Sequence, residues 1–255
     1  MKFCTFASSS SGNCSFLTHG DTKILIDAGI SMRRIKASLA SLGHTIDELN
    51  GIFITHEHSD HISAIKMLLK YFDVPIYATW DTYRGIISRF PEATGRVNII
   101  KAGEPLSVGE LNVLPFSTPH DAQGSVGYRV NAGGKSFALV TDIGFCSTNV
   151  LNAVRGADTV VLEANHDIVM LMNGPYPQYL CERILSKYGH LSNPDSGRFA
   201  VCLAESGTKR IILAHLSEKN NTPELAKREV SRALEGMDVE LVVAPAKEMG
   251  EFYII

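Results

Sequence analysis

The residues with the clearest chemical potential lie in one short segment, residues 55–61, which reads Thr-His-Glu-His-Ser-Asp-His. Its candidate ligands are His56, His58, Asp60 and His61. Because the chain has only nine histidines, composition alone does not readily explain this clustering. Imidazole nitrogens and carboxylate oxygens are suitable ligands for zinc, manganese or iron. The segment therefore predicts a metal site, and the alternative is a polar turn that happens to be rich in histidine.

An apolar run, residues 51–54, directly precedes this segment and predicts a β-strand that delivers the ligands from its end. Where such a strand passes into a turn, alternate side chains can point towards two neighbouring ions. Three more polar residues follow apolar runs in the same way, namely His120, Asp142 and His215. Each is a weak signal alone, because a histidine after a proline or an aspartate after a threonine usually belongs to a loop or turn. Their shared position at strand ends makes them candidate ligands.

Two other features each allow two interpretations. Asp27 ends an apolar run, and it is either a turn former or a group that holds a metal ligand in place. Residues 7–13, Ala-Ser-Ser-Ser-Ser-Gly-Asn, separate two predicted strands at 2–6 and 14–18. Their hydroxyls and backbone amides are able to cradle an anion, but a plain hairpin loop has the same composition.

The second half of the chain has the alternating pattern of an α/β protein. A predicted strand at residues 159–166 ends in polar groups, and a predicted helix at about 177–188 leads to His190. Asn193 is predicted to be the N-cap of the next helix, with a proline at its first position. No linker or change of composition divides the sequence, so we predict one domain over residues 1–255.

Composition indicates an ordinary globular protein, since 255 residues with 45% hydrophobic and 20% charged side chains can bury a sizeable core. No stretch reaches the roughly 18 apolar residues that span a bilayer, and the first residues lack the apolar core of a signal peptide. We therefore predict a cytoplasmic protein with no membrane partner. Five scattered cysteines indicate reduced thiols. The net charge of −3 argues against a generally basic nucleic-acid-binding protein, although a metal centre can still receive phosphates.

In order and context, the candidate ligands resemble the five motifs of the metallo-β-lactamase superfamily. The matching residues are Asp27, His56, His58, Asp60, His61, His120, Asp142 and His215. Within that superfamily, the segments 8–13, 162–167, 189–193 and 214–221 are similar to those of the bacterial YycJ/WalJ (VicX) family of predicted nucleases. The resemblance spans nearly the whole chain, and it is specific because separate motifs follow the histidine cluster in the correct order.

The resemblance implies an α/β fold of the four-layer αββα metallo-β-lactamase sandwich type, with a dinuclear site at one edge. The implied arrangement is one ion on His56, His58 and His120, a second ion on Asp60, His61 and His215, and Asp142 as a bridge. Asp27 is implied to support the ligand loop without binding metal. The two divalent ions would be Zn²⁺ or Mn²⁺, with iron as a further option, because sites of histidine and aspartate bind all three.

The resemblance also implies groups that act on a phosphodiester. The segments around Glu163 and His190 are similar to segments of tRNase Z that attend the scissile phosphate, although here one extra residue separates the histidine from the following serine. Two ions that share a water lower its pKa and neutralise charge on a phosphoryl oxygen. Asp60 or Asp142 would orient the resulting hydroxide and accept its proton, and His190 would protonate the leaving alkoxide.

The implied substrate contacts are Ser10, Ser11, Gly12, Asn13, Ser192 and Asn193. Together these features predict a metal-dependent phosphodiesterase or nuclease that binds nucleic acid. The resemblance alone favours a DNA exonuclease and DNA over RNA. The enzymatic alternative is a glyoxalase II-like thioester hydrolase or a cyclic phosphodiester hydrolase, because a metal core does not specify the substrate. The non-enzymatic alternative is a regulatory binding protein.

Related classes of enzyme fit the sequence less well. A β-CASP nuclease needs a large inserted domain, but ordinary α/β elements fill the 73 positions from Asp142 to His215. A typical tRNase Z carries a protruding arm rich in glycine and proline, and no such segment lies between His61 and His120. Zinc β-lactamases often have a cysteine at the position that matches Asp142.

Overall fold

Two β-sheets of seven strands each form the centre of the computed structural model, which describes all residues 1–255. The strands are β1 (Lys2–Ser9), β2 (Gly12–His19), β3 (Thr22–Ile26), β4 (Gly51–Phe53), β5 (Ile76–Thr79), β6 (Val97–Ile100), β7 (Leu106–Val108), β8 (Leu111–Ser117), β9 (Val126–Ala132), β10 (Lys135–Val140), β11 (Thr159–Glu163), β12 (Arg210–Ala214), β13 (Glu240–Val243) and β14 (Tyr253–Ile254). The α-helices are α1 (Met32–Ser41), α2 (Ser59–Ile62), α3 (Ile65–Tyr71), α4 (Trp80–Arg89), α5 (Thr148–Val154), α6 (Ile168–Asn173), α7 (Gln178–Ile184), α8 (Asn193–Glu205) and α9 (Pro223–Ala233).

Both sheets are mixed and are built in the same way. The first has the order β14-β1-β2-β3-β4-β5-β6, and the second has the order β13-β12-β11-β10-β9-β8-β7. The strands from β14 to β3 pair antiparallel and those from β3 to β6 pair parallel. In the second sheet, β7 to β10 pair antiparallel and β10 to β13 pair parallel. The carboxyl ends of parallel strands meet at one edge of a sheet, which is where ligand sites form in α/β folds.

Three apolar cores separate four layers. The middle core lies between the sheets, where the rings of Phe3 and Phe137 approach to 4.6 Å between centroids. One outer core packs α1, α3 and α4 on the first sheet, through residues such as Ile35, Leu68 and Ile86. The other packs α5, α8 and α9 on the second sheet. The predicted αββα sandwich is therefore confirmed.

The serine-rich segment is more ordered than the sequence predicts. Strands β1 and β2 extend to Ser9 and from Gly12, so the hairpin turn is only two residues long. Ser8 and Ser9 are buried because they pack on the segment that follows β12. The Ser8 hydroxyl accepts a hydrogen bond of 2.9 Å from the backbone of His215, and Ser9 bridges to Leu216. Tertiary contacts thus override the low strand propensity of serine and glycine.

The predicted helix boundaries need two corrections. Ser192, and not Asn193, is the N-cap of α8, because its hydroxyl accepts from the Asp195 backbone at 3.2 Å. Helix α7 ends at Ile184, several residues before the predicted end, because the chain folds back there to reach His190. No helix is both long and apolar enough to cross a bilayer. All five cysteines are free.

Candidate metal centre

Strand ends from both sheets bring the candidate ligands together. Asp27 follows β3, the histidine-rich segment follows β4, Asp142 follows β10 and His215 follows β12. Their ligand atoms fall into overlapping groups, in each of which all atoms lie within 4.8 Å of one another. These groups are His56, His58 and His120; Asp60, His61 and His215; His56, His61 and Asp142; and Asp142, Glu163, His190 and His215. The first two groups are the two ligand sets that the sequence resemblance implies.

Asp142 lies between the two ligand sets. One carboxylate oxygen, Oδ1, is 3.5 Å from His215 Nε2 and 3.8 Å from His120 Nε2. The other oxygen, Oδ2, is 3.5 Å from His61 Nε2. The carboxylate thus approaches His120 of the first set and both His61 and His215 of the second, which is the position of a bridging ligand.

The donor atoms fit divalent cations. Four ligand atoms are buried and have no hydrogen-bond partner, namely His56 Nε2, His120 Nε2, His215 Nε2 and Asp142 Oδ2. A buried polar atom without a partner costs about 1–3 kcal/mol. Cations that accept these lone pairs would remove that cost, and nitrogen and oxygen donors suit zinc or manganese. The residues present therefore fit a divalent-metal centre.

Backbone strain is concentrated at this site. Asp27, Asp142 and His215 have φ angles of 63°, 56° and 56°, and no other residue apart from glycine has a positive φ. Each costs about 1–2 kcal/mol relative to an ordinary conformation. Such strain persists where the surroundings impose it, which is common at functional sites. All three residues stand directly after β3, β10 or β12, where the chain must turn sharply to present a side chain.

Asp27 supports the ligands instead of joining them. Its Oδ2 accepts a hydrogen bond of 2.8 Å from His61 Nδ1, and its Oδ1 accepts from the Thr55 backbone at 2.8 Å. His61 Nε2 is therefore directed into the cluster. The Thr55 hydroxyl also lies 3.0 Å from His56 Nδ1. Asp27 is only 2% exposed, so its geometry is that of the predicted supporting residue.

Glu163, whose segment the resemblance places near the scissile phosphate, binds two histidines of the site. It is fully buried, and its Oε1 accepts hydrogen bonds of 2.8 Å from both His190 Nδ1 and His215 Nδ1. Its Oε2 accepts from the backbones of Ile143 and Leu191 at 3.1 and 3.0 Å. These four hydrogen bonds use both carboxylate oxygens, so Glu163 positions the imidazole rings of His190 and His215.

The buried charged groups of the cluster shift one another's pKa values. Burial opposes protonation of His215, but the carboxylates of Asp142, Asp60 and Glu163 outweigh burial and raise its pKa to about 10. Burial also opposes ionisation of Asp60, yet His61 and His215 lower the pKa of this carboxyl well below its usual value. Asp60 is therefore an anion throughout the neutral range, as a metal ligand or a proton acceptor must be.

His190 stands at the edge of the cluster, with its side chain 20% exposed. Its backbone donates to the carbonyl of Ile184 at 2.9 Å, so the end of α7 sets its position. A Cβ on the preceding Gly189 would lie 2.1 Å from the same carbonyl oxygen, and only glycine allows this approach. With Nδ1 bonded to Glu163, the Nε2 atom of His190 is the one available to a substrate.

Several predicted substrate contacts are occupied within the protein. Asn13 is buried, and its amide nitrogen lies 3.1 Å from His61 Nε2 and 3.3 Å from Asp60 Oδ2. Gly12 is also buried, whereas Ser10 and Ser11 of the turn are exposed. Asn13 therefore supports the ligand loop. The Ser11 hydroxyl donates to Glu218, so the Ser10 hydroxyl is the group of the turn that substrate can reach.

The second predicted contact segment has a structural role. Ser192 is 2% exposed and caps α8. Asn193 is 1% exposed and exchanges side-chain hydrogen bonds of 2.9 and 2.8 Å with Asn221. The prediction that these two residues contact substrate directly is therefore wrong, because both are buried.

Asp121 and Arg183 belong to the site, although the sequence assigned them no role. Asp121 Oδ1 is 3.4 Å from His120 Nε2 and 3.9 Å from His58 Nε2. Its other oxygen accepts from Arg183 Nε. Because Asp121 directly follows His120 in the sequence, its place in the site could have been predicted. Arg183 lies in a helix that is distant in sequence, and nothing in the sequence indicates this contact.

Gly29 allows the close packing of the ligand loop. A Cβ at this position would lie 1.6 Å from the backbone oxygen of Asp60. Overpacking commonly costs 1–3 kcal/mol, and the opposing atom here is backbone. We expect Gly29→Ala to destabilise the protein by about 3 kcal/mol and to lower its bound metal, as measured by thermal unfolding and elemental analysis.

Gly43→Ala is the matched control for this substitution. Gly43 has a φ of 80° and no neighbour within 4 Å, so alanine there causes backbone strain of about 1–2 kcal/mol without moving the ligand loop. The control should keep its metal. Equal metal content in the two variants would contradict the role of Gly29.

Comparisons with known proteins agree with this architecture. The family model for the beta-lactamase superfamily domain matches residues 22–216. The chain therefore belongs to the β-lactamase superfamily, and it has the metallo-β-lactamase fold. Its structure resembles that of Zn²⁺-bound PqqB from Methylobacterium extorquens, with a TM-score of 0.75, 15% identity, and coverage of 98% of this chain and 100% of that one.

Two relatives are similar along most of their length. Exodeoxyribonuclease YycJ of Bacillus anthracis is 36% identical over 238 residues, which cover 92% of this chain and 89% of the relative. Exodeoxyribonuclease WalJ of Streptococcus pneumoniae is 37% identical over 228 residues, which cover 88% and 85%. These similarities confirm the family resemblance that the sequence motifs indicated.

Proposed function

We propose that this protein is a metal-dependent exodeoxyribonuclease. The observation that carries the proposal is the convergence of two sets of metal ligands on Asp142, with His190 held beside them by Glu163. The geometry supports hydrolysis of a phosphodiester, and the two relatives named exodeoxyribonucleases support DNA as the substrate. DNA is favoured over RNA on the same basis. Because both sheets contribute ligands, we propose that residues 1–255 act as one catalytic domain.

In this proposal, two divalent ions occupy the centre, either Zn²⁺ or Mn²⁺, with iron as a further option. The ligands would be His56, His58 and His120 for one ion, Asp60, His61 and His215 for the other, and Asp142 for both. Bound there, the ions would supply a water of lowered pKa and positive charge beside the phosphoryl oxygens.

The protein's own groups then orient the substrate and move protons. Asp60, ionised and 19% exposed, accepts the proton of the attacking water. His190 donates a proton from Nε2 to the leaving alkoxide, while Glu163 fixes its ring through Nδ1. The exposed hydroxyl of Ser10 binds a phosphate next to the scissile one, whereas the Ser11 hydroxyl donates to Glu218 and supports the turn.

A substrate panel tests this function. Protein loaded with Zn²⁺ or Mn²⁺ is offered end-labelled single- and double-stranded DNA, RNA, bis-p-nitrophenyl phosphate and a thioester. We expect nucleotides to be released from the ends of linear DNA, circular DNA to stay intact, and the activity to disappear in Asp60→Ala. Thioester cleavage without cleavage of nucleic acid would overturn the proposal in favour of a glyoxalase II-like hydrolase. Binding to DNA without any hydrolysis would instead favour a regulatory protein.

A further inference from the structure

A cavity of about 160 Å³ lies beside His190. Its lining includes Ser10, Asp121, Asn165, Tyr176, Arg183 and Ser217. For comparison, a protein cavity of about 150 Å³ holds benzene, so this one accommodates a group of about six non-hydrogen atoms. A phosphate group fits such a space, whereas a whole nucleoside is too large.

Arg183 presents unused donors at this cavity. Its Nε donates to Asp121, and neither terminal nitrogen of the guanidinium donates to another group. The side chain is 56% exposed, so the two terminal NH₂ groups can reach a ligand without breaking the ion pair. Two parallel donors match the spacing of two phosphate oxygens, and arginine binds phosphate in this forked way.

Asp121 fixes the direction of this guanidinium relative to the metal ligands. One oxygen accepts from Arg183, and the other lies 3.4 Å from His120 Nε2. Arg183 thus compensates the charge of Asp121, which reduces the repulsion between this carboxylate and an anion in the cavity. Substrate bound by Arg183 is held in a defined position beside the metal centre.

Hydroxyl groups add further donors. The Ser217 hydroxyl oxygen accepts from the backbone of Asn220 at 3.2 Å, which leaves its proton free to donate. Ser10 is exposed at the tip of the hairpin turn, and Tyr176 lies on the α7 side of the cavity. A cation with several neutral donors is a suitable environment for a phosphate with unsubstituted oxygens.

We propose that this cavity is a subsite for the terminal phosphate of a nucleic-acid strand and that Arg183 is the residue that binds it. The inference rests on the proposed exodeoxyribonuclease function. Because His190 lines the cavity and also faces the metal ligands, a phosphate held there adjoins the scissile one. The enzyme would thereby recognise a strand end and place the next phosphodiester bond for hydrolysis.

The test compares one DNA duplex in three forms, with a 5′-phosphate, with a 3′-phosphate and with neither. Binding to the metal-free protein is measured by fluorescence anisotropy, and hydrolysis by the metal-loaded protein gives KM and kcat. Wild type should bind one of the phosphorylated ends about tenfold to a hundredfold more tightly than the unphosphorylated end. Arg183→Met should lose this preference, mainly through KM.

Two other variants make the result specific. Arg183→Lys keeps a cation beside Asp121 but lacks the fork, so it should retain only part of the preference. Arg232→Met removes an exposed arginine from the last turn of α9 and should keep the full preference. DNA hydrolysis without any preference for phosphorylated ends, or a preference that survives in Arg183→Met, would overturn the subsite and leave the nuclease function intact. A preference that depends on Arg183 in a protein that hydrolyses no DNA would support the subsite and refute the nuclease.

Discussion

Replacing Asp142 with alanine should lower DNA hydrolysis by about a thousandfold or more and reduce the bound metal. The carboxylate faces both ligand sets, with Oδ1 3.8 Å from His120 Nε2 of the first set and Oδ2 3.5 Å from His61 Nε2 of the second. In the proposed centre its loss would remove a ligand from each ion and an anion that balances the histidines. A loss of about 4 kcal/mol in transition-state stabilisation corresponds to about a thousandfold in rate.

Elemental analysis and initial rates on the same preparation check this result. Asp238→Ala is the matched control, because Asp238 is fully exposed just before β13 and should leave both quantities at the wild-type level. An Asp142→Ala protein that keeps its metal and hydrolyses DNA within tenfold of wild type would exclude a bridging role. Loss of metal in Asp238→Ala would show that the protein preparation, and not the removal of the Asp142 carboxylate, lowers the metal content.

Replacing His190 with alanine should lower kcat on DNA by about 10²–10⁴-fold while the metal content stays unchanged. His190 is held by Glu163 and lies beside the cluster without being needed to complete either ligand set. Its proposed task is to protonate the leaving alkoxide. A p-nitrophenolate leaving group needs little protonation, so hydrolysis of bis-p-nitrophenyl phosphate should fall far less than hydrolysis of DNA.

In His190→Ala, the loss of DNA hydrolysis relative to the loss of bis-p-nitrophenyl phosphate hydrolysis distinguishes proton donation from a merely structural role. A structural defect would lower both activities together and would also lower the metal content. His19→Ala serves as the control, because His19 ends β2 at the opposite end from the serine-rich turn. Equal losses on DNA and on the nitrophenyl ester in His190→Ala would contradict the role as proton donor.

The candidate ligands could be located from the sequence because they lie in the short segments that follow apolar strands. Apolar runs identify β4, β10 and β12, and the polar residue after each run marks the sheet edge at which parallel strands end. The order of motifs then implied how the ligands divide between two ions. The geometry brings the same residues together, and the metal-binding roles themselves stay predictions until metal is measured.

Supporting contacts could not be predicted because their partners are distant in the chain. Glu163 meets His190 and His215, and these hydrogen bonds depend on the packing of three separate segments. The same is true of the pairing between Asp121 and Arg183. A polar residue near a motif thus indicates proximity to the site, but its hydrogen bonds decide whether it contacts substrate.

Helix α5 and strand β7 are short elements that the sequence indicates only weakly. Helix α5 has only seven residues and includes valine and asparagine, which are weak helix formers. The three-residue strand β7 is shorter than typical strands. Packing on a sheet stabilises both elements, since Val150 and Val154 of α5 are buried in the outer core of the second sheet. Longer elements such as β8 and α9 show their periodicity in the sequence.

The most direct test of the central claim is a titration of metal into chelated wild-type protein, with the release of nucleotides from linear DNA measured at each step. We expect hydrolysis to be absent without metal and to reach its full rate when two equivalents of Zn²⁺ or Mn²⁺ are bound per chain. Full activity with one equivalent or none would contradict the two-metal centre built on Asp142.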